Sequence, residues 1–497
     1  MKYTSIWEDT IKRNSYPQLK KDISTDVLII GLGITGLSIA YQLRDSKLNI
    51  TAVDSHQIGS GTTSRTTGKL TYLQDDIYTT LSKNINKQTA NKYLESQLDA
   101  IKIVKKIIKE NNINCDLEKV PSYIWTNDKE QINTIIKEKE FLENNKIKVN
   151  THNKIPLIGN KYGISVSNTY YFNPLKYLNT LSTIIKRYTK IYENTTIVNI
   201  TKEKDKYICL TKNNCKIIAK KVVLACHYPF FTIPYLMPIK AYIERSYLSA
   251  TKVKENNKLS MISISKPITS IRYYHNKDKS NNYLLILKKS HNLSLDNNDN
   301  KNFNYLTKYI EENYGQPEYL WSNHDLITSD KLPYIGRLQK NNNNLLIATG
   351  YNTWGMTNGI VAGKIIADII QNKPNEYEEL FNPLRKLNKA KILNTPINII
   401  SSIVSYTVSL INKNKSWYNK QIVIKNTNGQ SIGIYIDEKG NKHSVRNTCP
   451  HLGCKLVFNN KERSWDCPCH GSRFDIDGNV IEGPSCYDIK IKNDKIV

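Results

Sequence analysis

The stretch TDVLIIGLGITGLSIAYQL, residues 25–43, decides the fold of the front of the chain. Residues 27–30 are a short apolar run typical of a buried parallel strand. Gly31, Gly33 and Gly36 follow in GxGxxG spacing, and then comes an apolar segment of helical period. Such glycines allow a tight turn and let a helix N-terminus face a pyrophosphate. The order of strand, turn and helix therefore predicts a dinucleotide-binding unit.

The next segment is not typical of an NAD-binding domain. A second strand, LNITAVD, ends at Asp54, where a ribose-binding acid is expected. The polar loop SHQIGSGTTSRTTGKLT, residues 55–71, follows directly, whereas an NAD domain would normally begin another helix there. The expected cofactor-binding residues of the turn and the second strand are Gly31, Gly33, Ile34, Thr35, Gly36 and Asp54.

The C-terminal part carries two short boxes rich in metal-binding residues. CPHLGC, residues 449–454, contains Cys449 and His451, and CPCHGS, residues 467–472, contains Cys467 and His470. Two thiolates and two imidazoles suit a [2Fe–2S] cluster with cysteines on one iron and histidines on the other. A four-coordinate zinc site is the alternative for the same residue types. The C-x-H spacing and the surrounding residues favour the cluster.

Length and charge exclude several classes of protein. A chain of 497 residues is expected to form two or three domains. The net charge of +27 comes from lysines spread along the chain, so we expect no nucleic-acid partner. No secretory signal or run of 18 apolar residues is present, so we expect no membrane span and a cytoplasmic, thiol-reducing setting. The most apolar stretch, residues 395–411, is predicted to be a packing helix in a linker rather than a membrane-surface helix.

Four motifs in order resemble flavoproteins of the glycine, sarcosine and D-amino-acid oxidase group. These motifs are GSGTTSRTTGK at 59–69, KVVLACHYPF at 221–230, DKLPYIGRL at 330–338, and NLLIATGYNTWGMTNGIVAGKIIADII at 344–370. The resemblance implies a Rossmann-like FAD domain and a substrate domain built on an antiparallel sheet. It also implies FAD contacts from the first motif at Ser64, Arg65, Thr66 and Thr67, and from the last motif at Gly350, Gly355, Met356 and Thr357. No cysteine lies between Cys226 and Cys449, so we expect the FAD to be bound non-covalently.

The two C-terminal boxes resemble Rieske domains. This resemblance implies a disulfide between Cys454 and Cys469, and a hydrogen bond from Ser472 to a bridging sulfide. Phe474 stands where a tyrosine often assists that serine, and EGPS, residues 482–485, resembles the proline loop that covers the cluster. The whole chain is similar to bacterial FAD-dependent oxidoreductases with a C-terminal Rieske domain.

The predicted fold class is an α/β Rossmann-like FAD domain with an antiparallel-sheet substrate domain, followed by a small all-β Rieske domain. The oxidoreductase is expected to occupy residues 1–385, a linker helix residues 386–416, and the Rieske domain residues 417–497. Within the oxidoreductase, the dinucleotide-binding half is assigned to 25–110, 190–230 and 316–385, and the substrate half mainly to 111–189 and 231–315.

The expected activity is a dehydrogenase acting on a small amine or an amino-acid-like substrate. Arg245 and Arg272 are candidates for binding a substrate carboxylate, and an ordinary ion-paired arginine is the alternative for each. Tyr247 is a candidate pocket residue, and no catalytic base can be named. Electrons would leave through the cluster to a one-electron carrier such as a ferredoxin or a quinone-linked acceptor. The alternatives are a reductase with the opposite electron flow and a non-catalytic redox-sensing module.

Overall fold

The computed structural model describes residues 1–230, 240–278, 280–295, 298–340, 342–386, 417–418, 421–427 and 430–491. Apart from residue 386, the predicted linker helix at 386–416 lies outside these ranges. The α-helices within them are Ile6–Thr10 (α1), Ile34–Gln42 (α2), Ile77–Asn84 (α3), Lys87–Glu110 (α4), Ile132–Asn144 (α5), Pro174–Ile185 (α6), Asp299–Asn313 (α7) and Gly355–Ile370 (α8).

An eight-stranded sheet forms the dinucleotide-binding half. Its strands are Ile23–Ile30 (β1), Ile50–Val53 (β2), Thr189–Tyr192 (β7), Ile197–Glu203 (β8), Lys206–Thr211 (β9), Lys216–Leu224 (β10), Tyr334–Gln339 (β16) and Asn342–Thr349 (β17). The central strands β17, β10, β1, β2 and β7 run parallel. Residues 27–30 are buried, as the apolar run predicts for a strand with both faces covered.

The turn after β1 depends on glycine at two positions. Gly31 has φ +102°, and a Cβ atom there would lie 2.7 Å from the carbonyl oxygen of Ala225. A Cβ atom on Gly36 would lie 1.9 Å from the carbonyl oxygen of Gly31, which no rearrangement of a side chain could relieve. The glycine pattern is therefore required for helix α2 to begin directly against the sheet.

A nine-stranded sheet forms the substrate half. Its strands are Lys69–Leu70 (β3), Glu118–Thr126 (β4), Val149–His152 (β5), Tyr162–Tyr171 (β6), Ala241–Val253 (β11), Ser260–Ser263 (β12), Thr269–Asn276 (β13), Asn281–Asn292 (β14) and Pro317–Thr328 (β15). The pairings are antiparallel except that β4 and β12 are parallel. The sheet is thus mixed at one place rather than wholly antiparallel.

Two sequence-based assignments in this half need correction. Strand β15 was predicted to lie in the dinucleotide-binding half, but it pairs with β11 along nearly its whole length, so the substrate sheet continues to residue 328. Helix α7 lies within residues 231–315, which the sequence analysis assigns to a substrate half built on an antiparallel sheet without naming a helix. Its asparagines and lysines obscure the helical period, although Phe303, Leu306 and Ile310 are buried on one face.

The C-terminal tail, residues 417–491 as far as they are described, contains two four-stranded antiparallel sheets. One sheet consists of Trp417–Tyr418 (β18), Ile422–Thr427 (β19), Gln430–Ile436 (β20) and Lys442–Arg446 (β21). The other consists of Val457–Asn459 (β22), Ser464–Asp466 (β23), Arg473–Asp475 (β24) and Val480–Glu482 (β25). Strands β19, β20 and β21 precede the first box, and the tail is the small all-β domain that the sequence predicts.

No helix within the described residues is long and apolar enough to cross a membrane. The apolar stretch at 395–411 lies outside those residues.

Candidate functional site

A cavity of about 510 Å³ lies between the two large sheets and the C-terminal tail. Eleven of the predicted cofactor residues line it, namely Gly31, Gly33, Ile34, Thr35, Asp54, Arg65, Thr66, Thr67, Gly350, Gly355 and Met356. Residues from the βα turn, the polar loop and the start of helix α8 therefore meet around one space, although they are far apart in the sequence.

Three predicted cofactor residues do not line this cavity. Gly36 packs beneath the turn against Gly31. The hydroxyl of Ser64 donates to Glu8 Oε1 at 2.8 Å, and Thr357 Oγ1 accepts a hydrogen bond from Gln74 at 3.0 Å. These residues support the cavity wall from behind, and sequence spacing alone could not separate them from their neighbours.

The cavity walls have the features that FAD requires. Helix α2 begins after Gly33, which has no side chain to cap the helix. The backbone N–H of Ile34 donates to Thr63 Oγ1 at 3.2 Å, so the next N–H groups of the first turn are the ones that a pyrophosphate could use. Asp54 accepts hydrogen bonds from the backbone N–H groups of Leu32 at 2.7 Å and His56 at 2.9 Å, which orient its carboxylate at the end of β2. Burial raises the pKa of Asp54 to about 6. These residues fit the phosphates and a ribose of FAD.

The cavity also contains cysteines from two distant parts of the chain. Cys226 follows strand β10, and Cys486 comes from the tail. The Cys486 thiol contacts the carbonyl oxygen of Ile197 at 3.5 Å, and Asp54 is among the charges that act on Cys226. Both cysteines therefore lie on the Asp54 side of the cavity. Non-covalent binding of FAD stays a prediction. The sequence analysis considered only cysteines near the FAD motifs in sequence and therefore did not include Cys486.

The two C-terminal boxes place their predicted ligands together. The rings of His451 and His470 are 5.1 Å apart between centroids and nearly perpendicular. The pKa of the Cys449 thiol is lowered, chiefly by a hydrogen bond from Cys467 and also by one from Ser472. His470 Nδ1 is buried and has no hydrogen-bond partner among the described residues. Burial lowers the pKa of His470 to about 3, which keeps the ring in the neutral form that binds metal. This donor set fits a [2Fe–2S] cluster.

The remaining two cysteines of the boxes form a disulfide. Cys454 and Cys469 are joined at an S–S distance of 2.04 Å, as the resemblance to Rieske domains implies. The Cys467 sulfur lies within 4.8 Å of both disulfide sulfurs. Ser472 Oγ also accepts a hydrogen bond from the backbone N–H of Ser485 at 3.0 Å, so the proline loop is fastened to the second box.

A cluster of buried charges joins the tail to the substrate sheet. We call it the salt-bridge cluster, and its members are Arg245, Asp299, Glu462, Asp466 and Arg473. Arg245 contacts Asp299 Oδ2 at 2.8 Å on its own side and Asp466 Oδ2 at 2.5 Å on the tail. Arg245 is therefore an ion-paired arginine, which is the alternative that the sequence analysis gives to carboxylate binding. It does not line the cavity.

The other two catalytic candidates also lie away from the cavity. The Tyr247 hydroxyl donates to Asp299 Oδ1 at 2.5 Å, so it supports the salt-bridge cluster. The Arg272 guanidinium is fully buried, lies over the rings of Tyr171 and Trp7, and donates to the carbonyl oxygen of Phe172 at 3.3 Å. Arg272 therefore stacks on aromatic side chains behind the cavity wall.

Two further contacts bring the tail to the cavity itself. The ring of Tyr228, a cavity residue, lies 5.7 Å from the ring of His470 between centroids, and we call this pair the aromatic contact. Glu482 of the proline loop contacts Arg65 Nη1 at 2.6 Å and His324 Nδ1 at 3.5 Å. Residues 479–486 form part of the cavity wall.

Sequence analysis missed Tyr228, Asn323 and Asp325, which all line the cavity. Tyr228 lies within the motif at 221–230, to which the sequence analysis assigns no site residue. Asn323 and Asp325 lie on strand β15, whose sheet was misassigned. Their alternation along that strand was the available signal, because residues i and i+2 share one face.

Comparison with known proteins matches two separate parts of the chain to two families. The FAD dependent oxidoreductase family matches residues 26–369, and the Rieske [2Fe-2S] domain family matches residues 408–492. A Rieske 2Fe-2S iron-sulfur protein of Bacillus subtilis, YhfW, is 32% identical over 98% of this chain and 97% of its own length. A cytochrome b6-f complex iron-sulfur subunit of Synechocystis is 37% identical over 65 residues, 13% of this chain and 36% of that protein.

Solved structures show the same fold for the front of the chain. Glycine oxidase from Geobacillus kaustophilus superposes with a TM-score of 0.63 at 15% identity, over 73% of this chain and 100% of the other. Identity at that level supports the fold alone. The family match and the full-length relative together show that the chain belongs to the FAD dependent oxidoreductase family and carries a C-terminal Rieske [2Fe-2S] domain.

Proposed function

We propose that this protein is a dehydrogenase that oxidises a small amine or amino-acid-like substrate and passes the electrons through the Rieske cluster to an external one-electron carrier. The proposal is carried by the position of the tail. His470, a predicted cluster ligand, is in ring contact with Tyr228 of the FAD cavity. Electron transfer weakens steeply with distance, so a cluster ligand beside the cavity favours direct transfer.

The proposal assigns separate tasks to the two cofactors and to the chain. When bound, FAD supplies two-electron oxidation of a C–H bond and the cluster supplies one-electron transfer. Gly31, Gly33 and Asp54 would hold the dinucleotide, while Cys449, His451, Cys467 and His470 would hold the cluster. The proline loop closes the cavity where Glu482 contacts Arg65.

Outward electron flow is favoured by the general properties of such centres. Rieske clusters have potentials of roughly −150 to +300 mV, above the range expected for a typical bound flavin. The candidate carriers are a ferredoxin and a quinone-linked acceptor, each of which accepts electrons singly. Outward flow requires a carrier of higher potential than the cluster, which excludes a plant-type ferredoxin at about −400 mV. The opposite flow would require a carrier of lower potential than the flavin.

An anaerobic light-reduction experiment tests the proposal without knowledge of the substrate. The bound flavin is photoreduced, and the cluster is followed by its visible absorption and its EPR signal. We expect the cluster to be reduced as the flavin is reoxidised. In air, photoreduced protein should form peroxide slowly when a one-electron acceptor is present. A cluster that remains oxidised beside reduced flavin would contradict the proposal.

A further inference from the structure

Strand β15 contributes two polar residues to the lining of the cavity, which Gly350 also lines. Asn323 and Asp325 both line the cavity, and the Asn323 amide donates to Asp325 Oδ2 at 3.1 Å. The neighbouring Leu326 carbonyl oxygen accepts a hydrogen bond from the backbone N–H of Asn352, in the loop that follows Gly350. The strand therefore places this pair beside the loop that follows Gly350, a residue that the family resemblance predicts to contact FAD.

The hydrogen bond between the two side chains leaves one acceptor of Asn323 without a partner. A carboxylate only accepts hydrogen bonds, so the Asn323 amide must direct its NH₂ group to Asp325. Asn323 Oδ1 is then the remaining acceptor, and it is buried with no partner among the described residues, in a residue only 6% exposed. A buried acceptor without a partner is costly, so a donor from a ligand would stabilise it.

The electrostatic surroundings of Asp325 are negative. Glu244 lies directly opposite Asp325 in the pairing of β11 with β15, and Glu482 also acts on it. Burial, with a smaller contribution from Glu244, raises the pKa of Asp325 to about 7. No described cation forms a salt bridge with Asp325 at 4.0 Å or less. A cationic ligand beside the carboxylate would therefore be attracted and would lower that pKa again.

The cations that line the cavity are already neutralised. Arg65 contacts Glu482 at 2.6 Å, and Lys212 contacts Asp488 at 2.8 Å. Burial lowers the pKa of His227 to about 4, so this residue is neutral at neutral pH. The described lining thus has acceptors for a cation and no unpaired guanidinium or ammonium group for a substrate carboxylate.

We propose that Asp325 and Asn323 bind the ammonium group of the substrate, and that the substrate is an alkylamine rather than an amino acid. This inference rests on the proposed function and narrows its substrate class. Leu248, Leu287 and Leu326 line the same cavity and suit the alkyl part. In the reaction one C–H bond next to nitrogen and one N–H bond break, and the C–N bond becomes the C=N bond of an imine. Two electrons pass to two equivalents of the one-electron carrier, and two protons pass to water.

Ligand binding to the oxidised holoprotein tests this inference directly. The probes are n-butylammonium and butyrate, which share an alkyl chain and differ in charge. Binding is measured by the change in flavin absorption and by calorimetry. We expect n-butylammonium to bind wild type at least about tenfold more tightly than butyrate, a difference of about 1.4 kcal/mol.

Substitutions identify the residue responsible. Asp325→Asn, which keeps the shape and removes the charge, should weaken n-butylammonium binding at least about tenfold. Asp325→Glu should restore part of that affinity. Glu318→Gln is the matched control, because Glu318 lies on the same strand outside the cavity lining, and it should leave binding unchanged. Flavin content and the cluster EPR signal verify that each variant is folded and loaded.

Two results would overturn the inference. One is butyrate binding wild type as tightly as n-butylammonium, which requires no variant. The other is a loaded Asp325→Asn protein that binds n-butylammonium as wild type does. Light-driven electron transfer from flavin to cluster needs no substrate. If this transfer succeeds while either of the two binding results is found, only the amine assignment is refuted. Failure of this transfer would refute the proposed function.

Discussion

The salt-bridge cluster and the aromatic contact join the same two parts of the chain by different physical means. The salt-bridge cluster consists of charged groups that are at least nine-tenths buried and directionally hydrogen-bonded, with Arg245 between Asp299 and Asp466. The aromatic contact between Tyr228 and His470 involves two side chains without charge at neutral pH. The salt-bridge cluster therefore determines where the tail lies, and the aromatic contact places the predicted electron-transfer centre beside the cavity.

Burying the charges is consistent with this division of roles. A buried ion pair adds little net stability because its desolvation is costly, but its geometry is demanding. Charge-assisted hydrogen bonds at 2.5 to 2.8 Å tolerate little displacement of Asp466 relative to Arg245. The tail should therefore occupy one position, which keeps His470 at a constant distance from the cavity.

The largest effect is expected from removing the central arginine. Arg245→Met leaves Asp299 and Asp466 buried without their shared partner, which should destabilise the docked state by about 3 kcal/mol. Hydrogen exchange at the backbone N–H of Ser322, which donates to Glu462 at 3.0 Å, should rise accordingly. Chemical unfolding provides the second measurement.

The control is Arg463→Met, which removes an exposed ion pair with Glu438 on the tail. Exposed ion pairs contribute little to stability, so hydrogen exchange at the backbone N–H of Ser322 should stay as in wild type. Equal exchange in Arg245→Met and wild type would mean that the salt-bridge cluster does not hold the tail in place.

The second effect concerns electron transfer without loss of docking. Cys467→Ser removes one predicted cluster ligand while the salt-bridge cluster remains. Flavin reduction should persist, and reduction of an external one-electron acceptor should fall at least about tenfold, or about 1.4 kcal/mol in barrier terms. The Rieske EPR signal should disappear, and Ser322 exchange should be unchanged.

Cys215→Ser is the matched control, because this buried thiol contacts the carbonyl oxygen of Leu19 in another part of the chain. It should retain both the signal and the rate. Acceptor reduction at the wild-type rate in Cys467→Ser would show that electrons leave by a route other than the cluster.

The smallest effect is expected from the aromatic contact itself. Tyr228→Leu removes the ring beside His470 but leaves the salt-bridge cluster intact, so the transfer rate from photoreduced flavin to the cluster should fall about threefold, or about 0.6 kcal/mol. Tyr228→Phe keeps the ring and should transfer at nearly the wild-type rate. If Tyr228→Leu transfers as fast as wild type, the contact has no electronic role.

The sequence alone identified what neighbouring residues can specify. The βα turn was predictable because Gly31, Gly33 and Gly36 act within one local backbone geometry. The cluster ligands were predicted from two boxes of six consecutive residues, and this assignment stays a prediction. The disulfide between Cys454 and Cys469 was implied by the resemblance of these boxes to Rieske domains, and the structure contains it. Asp54, Arg65 and Gly350, which were predicted to bind the cofactor, do line the cavity. They lie in segments whose order along the chain resembles that of one flavoprotein family.

The tertiary structure decided the roles of the isolated residues. Arg245 and Asp466 are separated by 221 positions, so no local pattern could show that they pair across the interface. The same holds for Tyr228 with His470, and for Asp325, whose importance depends on which cations are already neutralised around the cavity. Charge pairing and burial depend on the surroundings of a side chain, and those surroundings exist only after the sheets and the tail have packed together.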